Sequence, residues 1–251
     1  MNIGLILSLL LINTICSVAL VDTSKWVGAE YAPMQSSNED WLYHYDAYAD
    51  SIERELPIIK KVMQFTSLRV FLHSMIYETN STLLLSNMER FLSVADYNNF
   101  TIGFVFFDDC WNHAGFSLEE SCQPIKGVHN GCWAASPQNK DRTSVDRYEP
   151  YVTDIVSHFV SDSRIAWWEV FNEPNHLNKY SISLRLSGYN WIKSLSPLAP
   201  ILSCWDENEG TDLNDHHQYN LPWGGEKNLV FLNLTGHMQG GLVTEAGARW
   251  Y

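Results

Sequence analysis

Trp167-Trp168-Glu169-Val170-Phe171-Asn172-Glu173-Pro174-Asn175 is the stretch that decides how the rest of this chain is read. An apolar run that ends in a glutamate and is cut off by a proline is the pattern of a buried strand carrying a carboxylate to its C-terminal end. A second segment, Leu242-Val243-Thr244-Glu245-Ala246-Gly247, has the same build. The two are far enough apart to hold about three strand–helix units between them.

Working outward, residues 26–31 read as a short first strand and 67–75 as the second. Residues 100–107 form a third strand, almost wholly apolar, as a parallel strand covered on both faces should be. Residues 165–170, 200–205, 216–219 and 242–244 supply strands four to seven. Helical patterns fall between them. Residues 50–64 open on Asp50-Ser51-Ile52-Glu53, a capping box, with Pro57 marking a first turn or a kink. Residues 82–97 place Leu84, Met88, Phe91, Leu92 and Ala95 on one face. Residues 148–159 and 183–195 are the next two helices. Alternation of this kind belongs to the α/β class with a parallel sheet, and the count predicts a TIM-type (β/α)8 barrel. The sequence reaches Tyr251 with seven strands read, so the expected barrel is truncated before strand eight. That would expose the edges of strands one and seven and leave the protein weakly active or inactive. Residues 108–145 form a long irregular segment rich in Gly, Pro, Asn and Ser, suited to a lid or a substrate wall.

At 251 residues the chain suits one large domain, and 45% hydrophobic residues give it ample core. A net charge of −13 excludes nucleic acid as a partner, since phosphate binding needs clustered Lys and Arg. Residues 1–19 read as a signal peptide, with an apolar run from Ile3 to Ile12 and Ser17-Val18-Ala19 as the small-residue cleavage pattern. The barrel domain then spans residues 20–251, and no later segment is apolar enough to span a bilayer, so no stable membrane insertion follows signal removal. Secretion is expected, in agreement with sequons at Asn80, Asn99 and Asn233. Loss of the signal removes Cys16 and leaves Cys110, Cys122, Cys132 and Cys204, which allow three full pairings. Cys110 and Cys204 read as buried thiols on apolar strands. Cys122 and Cys132 flank a stretch containing Gly and Pro and are the expected disulfide.

Two carboxylates at separate strand ends of one barrel mouth are what retaining glycoside hydrolysis requires, about 5–5.5 Å apart, one as acid and base and the other as nucleophile. The segment at 167–174 resembles the fourth-strand signature of glycoside hydrolase clan A, the cellulase-like barrel enzymes near glycoside hydrolase family 5. The segment at 242–247 resembles the seventh-strand signature of the same clan. The resemblance implies Glu173 as acid/base, Asn172 as holder of the sugar 2-hydroxyl and Glu245 as nucleophile. It extends to Ser67-Leu68-Arg69-Val70-Phe71-Leu72-His73, to Phe107-Asp108-Asp109-Cys110-Trp111, to Gly127-Val128-His129-Asn130 with Trp133, and to His217-x-Tyr219, covering roughly residues 26–251. By the same resemblance Arg69 braces Glu245, and His217 and Tyr219 position nucleophile and substrate. Trp111 and Trp205, at strand ends, are further candidates for sugar contact.

Each of these residues also has a plainer role. Arg69 could be a structural ion pair, His217 and Tyr219 satisfied core groups, and Asp108 with Asp109 loop caps rather than partners of sugar hydroxyls. An aromatic-rich strand should partly desolvate Glu173 and raise its pKa, whereas Arg69 beside Glu245 should keep that carboxylate ionised. His73, His113, His129, His216 and His217 lack a His-Glu-x-x-His or Cys-x-x-Cys frame, so no metal is expected. No Gly-x-Ser-x-Gly elbow or phosphate-cradling loop is present. The sequence therefore predicts a secreted retaining β-glycosidase of the cellulase or mannanase kind, acting on an oligo- or polysaccharide without a cofactor. The alternative is a non-catalytic or inactive truncated barrel that binds carbohydrate.

Overall fold

A computed structural model describes residues 22–119, 122, 131–203, 210–218 and 241–246, with 214, 216, 218 and 241–246 described by backbone alone. The expected signal peptide, Cys204 and the sequon at Asn233 lie outside the described residues. Parallel strands alternate with helices in the order β1 (Gly28–Glu30), α1 (Tyr45–Met63), β2 (Ser67–Phe71), α2 (Ser74–Tyr97), β3 (Thr101–Asp108), α3 (Glu149–His158), β4 (Ile165–Asn172), α4 (Lys179–Ser194), β5 (Ile201–Leu202), β6 (Asn214–Gln218) and β7 (Gly241–Ala246). Strands β1 to β5 pair in sequence order as one parallel sheet, and β6 pairs with β7, also in parallel. This is the sheet of a partial TIM-type barrel.

β3 and β4 form the centre of the sheet because they can be buried on both faces. Every residue of β4 is buried. Outward, Trp168 stacks against Phe104 and Phe106 with ring centroids 5.9 and 5.6 Å away. Val170 lies so close to α4 that a Cβ on Gly188 would sit 2.6 Å from it. On the opposite face Trp167 fills the space over Gly103 of the neighbouring strand, where a Cβ would fall 1.9 Å from the indole. The alternation along β4 then turns Glu169 to that same face.

Several element boundaries differ from the sequence expectation, and at α1 and α2 the reason is local. α1 begins at Tyr45 with His44 as its cap, so Asp50 and Glu53 lie within the helix and form no capping box. Pro57 is also inside α1 rather than in its first turn; burial of Tyr45, Ile52 and Leu56 on the face toward the sheet outweighs the lost backbone bond. α2 begins at Ser74, where the second strand was expected to continue, because His73 Nδ1 accepts the Met75 N–H at 3.2 Å and caps the helix. Asn80 then breaks α2 with φ −159° and caps its second half through the Leu83 N–H at 3.0 Å, which is where the helical periodicity becomes legible.

The long segment after β3 is fastened back onto the sheet by bridges from Asp108 to Ser136 and from Asn112 to Ala134. Cys122 and Cys132 form the expected disulfide, with Cα atoms 5.4 Å apart. Cys110 is not a buried strand residue as expected: it lies just past the end of β3 and is exposed. Asn80 and Asn99, the sequon asparagines within the described residues, are exposed. Among the described residues no helix is long and apolar enough to cross a membrane.

Candidate active site

β4 ends at Asn172, and the next residue, Glu173, turns the chain with φ of +43°. That left-handed backbone is costly for a residue with a side chain, and more so directly before a proline. The turn brings the Glu173 carboxylate to the C-terminal mouth of the barrel, its side chain 13% exposed. Oε1 lies 2.6 Å from His217 Nδ1, and Oε2 lies 2.6 Å from Cys110 Sγ. His217 belongs to β6 and its imidazole is fully enclosed. The backbone register sets His217 opposite Glu245 on β7. Thus one of the two glutamates singled out in the sequence is in side-chain contact with His217, and the other is the partner of His217 in the strand ladder. The side chain of Glu245 lies outside the described residues, as do Tyr219 and Trp205.

Beneath the mouth lies a buried polar chain. Arg69, 3% exposed on β2, donates through Nε to Glu169 Oε2 at 2.9 Å and through Nη2 to Glu169 Oε1 at 2.5 Å. The same Nη2 donates to Asn172 Oδ1 at 2.6 Å, and Glu30 of β1 approaches the guanidinium at 3.7 Å. The described partners of Arg69 are therefore Glu169, Asn172 and Glu30, and the expected contact with Glu245 involves a side chain outside the described residues. Asn172 passes the chain onward, with Nδ2 donating to Asp108 Oδ2 at 2.6 Å. Asp108 Oδ1 accepts the backbone N–H groups of Cys110 and Trp111 at 2.9 and 3.0 Å. Burial pushes the Asp108 carboxyl well above the usual range, and the Asn172 amide and these two N–H groups oppose that push. A carboxyl so enclosed braces the β3 end and Asn172.

Asp109 has a parallel job one residue on. Its carboxylate pairs with Arg142 and accepts the Asn175 N–H at 2.8 Å. Arg142 in turn donates to the Pro137 carbonyl at 3.1 Å and to Ser181 of α4 at 3.2 Å. His73 donates from Nε2 to the Ala135 carbonyl at 3.1 Å, and burial holds its pKa down at about 4, so it braces the same segment as a neutral ring. Trp111, Trp133 and Phe71 pack edge to face, with Trp111 5.2 Å from Trp133 and 6.2 Å from Phe71. They form an aromatic wall beside the residue that touches Glu173.

Glu169, Asp215 and Cys110 were not read from the sequence as site residues. Glu169 sits inside an apolar run and signals itself only through the period-two alternation that turns it inward. The ligand atoms of Glu169, Asp215 and His217 lie within 4.8 Å of one another. Both Glu169 oxygens are engaged by Arg69, so a guanidinium already supplies the positive charge that a metal ion would bring there.

No family model matches the chain, and no curated protein is similar to it. Solved structures do match. An exo-β-1,4-mannosidase from Opitutaceae bacterium strain TAV5 aligns over 89% of this chain with a TM-score of 0.61 and 17% identity. An endo-1,4-β-mannanase from Eisenia fetida aligns over 78% with a TM-score of 0.52 and 13% identity. A hyperthermostable endo-1,4-β-D-mannanase from Thermotoga petrophila RKU-1 aligns over 87% with a TM-score of 0.51 and 11% identity. The chain spans 45% of the length of the first, 69% of the second and 80% of the third. What the chain shares with these glycoside hydrolase structures is the fold.

Proposed function

We propose that this chain hydrolyses β-O-glycosidic bonds with retention, by double displacement. The observation that carries this reading is the single histidine, His217, placed against the Glu173 carboxylate and in register with Glu245. In the first step Glu245 attacks the anomeric carbon while Glu173 gives its proton to the leaving oxygen; in the second, Glu173 takes a proton from the water that releases the sugar from Glu245. Asn172, its carbonyl oxygen fixed by Arg69, has an N–H to offer the sugar 2-hydroxyl. Trp111 and Trp133 supply apolar surface for a pyranose ring. The neighbours named as mannanases and as a mannosidase favour a β-1,4-mannan-type oligo- or polysaccharide as substrate. Export of the protein is part of the same proposal, supported by the apolar run at 3–12 and by a disulfide of the kind that persists in oxidising compartments.

The test is turnover of β-linked manno-oligosaccharides with the first-formed anomer read by proton NMR. A β-anomer released first, with Glu173→Gln and Glu245→Gln each lowering kcat by about 100-fold or more, is the expected result. Release of the α-anomer first would make the mechanism inverting and remove Glu245 as nucleophile. Binding of the sugar without any turnover would favour the non-catalytic carbohydrate-binding alternative.

A further inference from the structure

We infer that Asp108 and Asp109 are a pair of positioning residues that clamp the turn 172–175 and thereby hold Glu173 in place at the barrel mouth. The inference rests on the reading of Glu173 as acid/base and says how its position is kept. Glu173 has φ of +43° and precedes Pro174, a strained backbone state that persists only where its surroundings over-determine it. Asp108, the last residue of β3, and Asp109 after it supply that constraint from both sides. Before Glu173, Asp108 takes the Asn172 side-chain N–H at 2.6 Å, and the Asp109 N–H reaches the Asn172 carbonyl at 3.4 Å. After it, Asp109 takes the Asn175 N–H at 2.8 Å. Each carboxylate is anchored by its other oxygen, Asp108 to the N–H groups of Cys110 and Trp111 and Asp109 to Arg142. The clamp therefore ties the turn to β3 and, through Arg142 and Ser181, to α4. Asp108 is fully buried and the Asp109 side chain is 3% exposed, so both act on the substrate only through the turn.

Four variants of the full chain separate this role from a merely structural one, with each melting temperature, kcat and KM on a β-1,4-manno-oligosaccharide measured. The titration of the Glu173 carboxyl is followed by carbon-13 NMR, assigned from the Glu173→Gln spectrum. Asp108→Asn is isosteric but meets the Asn172 amide donor to donor. Asp108→Asn/Asn172→Asp restores a donor facing an acceptor while removing the N–H offered to the sugar. Asp109→Ala loses the Asn175 bond, whereas Arg142→Met removes only the far anchor. The clamp predicts that Asp108→Asn and Asp109→Ala lower kcat by about 100-fold with KM near wild type, as a displaced catalytic group should, and move the Glu173 titration. It also predicts that the double variant regains the wild-type melt without regaining kcat, and that Arg142→Met, which strands the buried Asp109 carboxylate but leaves its Asn175 bond, lowers kcat in the same direction as Asp109→Ala and by less. Wild-type kcat in Asp109→Ala, or an unmoved Glu173 titration in Asp108→Asn, would overturn the clamp. Wild-type turnover by Glu173→Gln would instead remove the acid/base reading, leaving the titration to decide the clamp on its own.

Discussion

Arg69 is 3% exposed and bidentate to a carboxylate, Glu169, that is 0% exposed. Removing one partner of such a pair strands the other in a medium that solvates it poorly, at a cost of about 3–5 kcal/mol. Arg69→Met should therefore destabilise by that amount in urea unfolding, and Arg69→Met/Glu169→Leu by clearly less. Equal losses in the two would mean that leaving Glu169 without Arg69 costs the fold nothing. Glu39 makes a second residue-scale case. It is 2% exposed in the segment after β1, its Oε2 has no hydrogen-bond partner among the described residues, and burial pushes its pKa from the ordinary 4.5 up to about 7. Between those two values the folded state holds a proton that the unfolded state has lost, so stability falls as pH rises across the window and is level outside it. The drop is on the order of 3 kcal/mol. Glu39→Gln removes the titration, so its stability relative to wild type should climb by about that much between pH 4 and pH 8. Parallel curves for the two proteins would show that Glu39 ionises normally. Glu173 and Asn172 were legible in the sequence because a strand cut off by a proline announces where its last side chains go. Glu169 and Asp215 were not, since what makes them matter is the partner that other strands bring to them.

At the scale of the elements, β3 and β4 fit each other through one glycine. Gly103 leaves the space into which Trp167 settles, just after a register shift in the ladder between Ile102 and Gly103, and a methyl there would sit 1.9 Å from the indole. Gly103→Ala should cost about 1–3 kcal/mol by overpacking, read as a lowered urea midpoint with an unchanged m-value. A neutral result would require Trp167 to find another rotamer in a fully packed layer. Strands were the legible elements, because a buried parallel strand is a continuous apolar run with few ways to be misplaced. Helix starts were less so: His44 caps α1 without a side-chain bond, and His73 caps α2 with a ring nitrogen, neither of which is a residue type that marks helix starts in a sequence.

Over the whole molecule, the strand order followed from the alternation of strand and helix, since successive parallel units pack beside one another. What the sequence could not supply was the join between the five-stranded sheet and the β6–β7 pair. That join includes the contact of Glu173 with His217 and the register of His217 with Glu245, both of which depend on how far each strand is shifted along its neighbour. A sugar seated at the mouth would touch groups from both sheets and would bind only when both are in place, so it should stabilise the protein as a unit. Glu173→Gln keeps the shape of the site and prevents consumption of the ligand. With a β-1,4-manno-oligosaccharide at about 100 times its Kd, this variant should gain about 2.7 kcal/mol of stability, visible as a rise in melting temperature that scales with the logarithm of ligand concentration. A matched cello-oligosaccharide should raise it less. An equal or larger shift with the glucose polymer would take away the mannan preference while leaving a sugar site. No shift with either sugar up to about 1 mM, the upper end of ordinary KM values, would mean that the mouth between the two sheets is not where a polysaccharide binds.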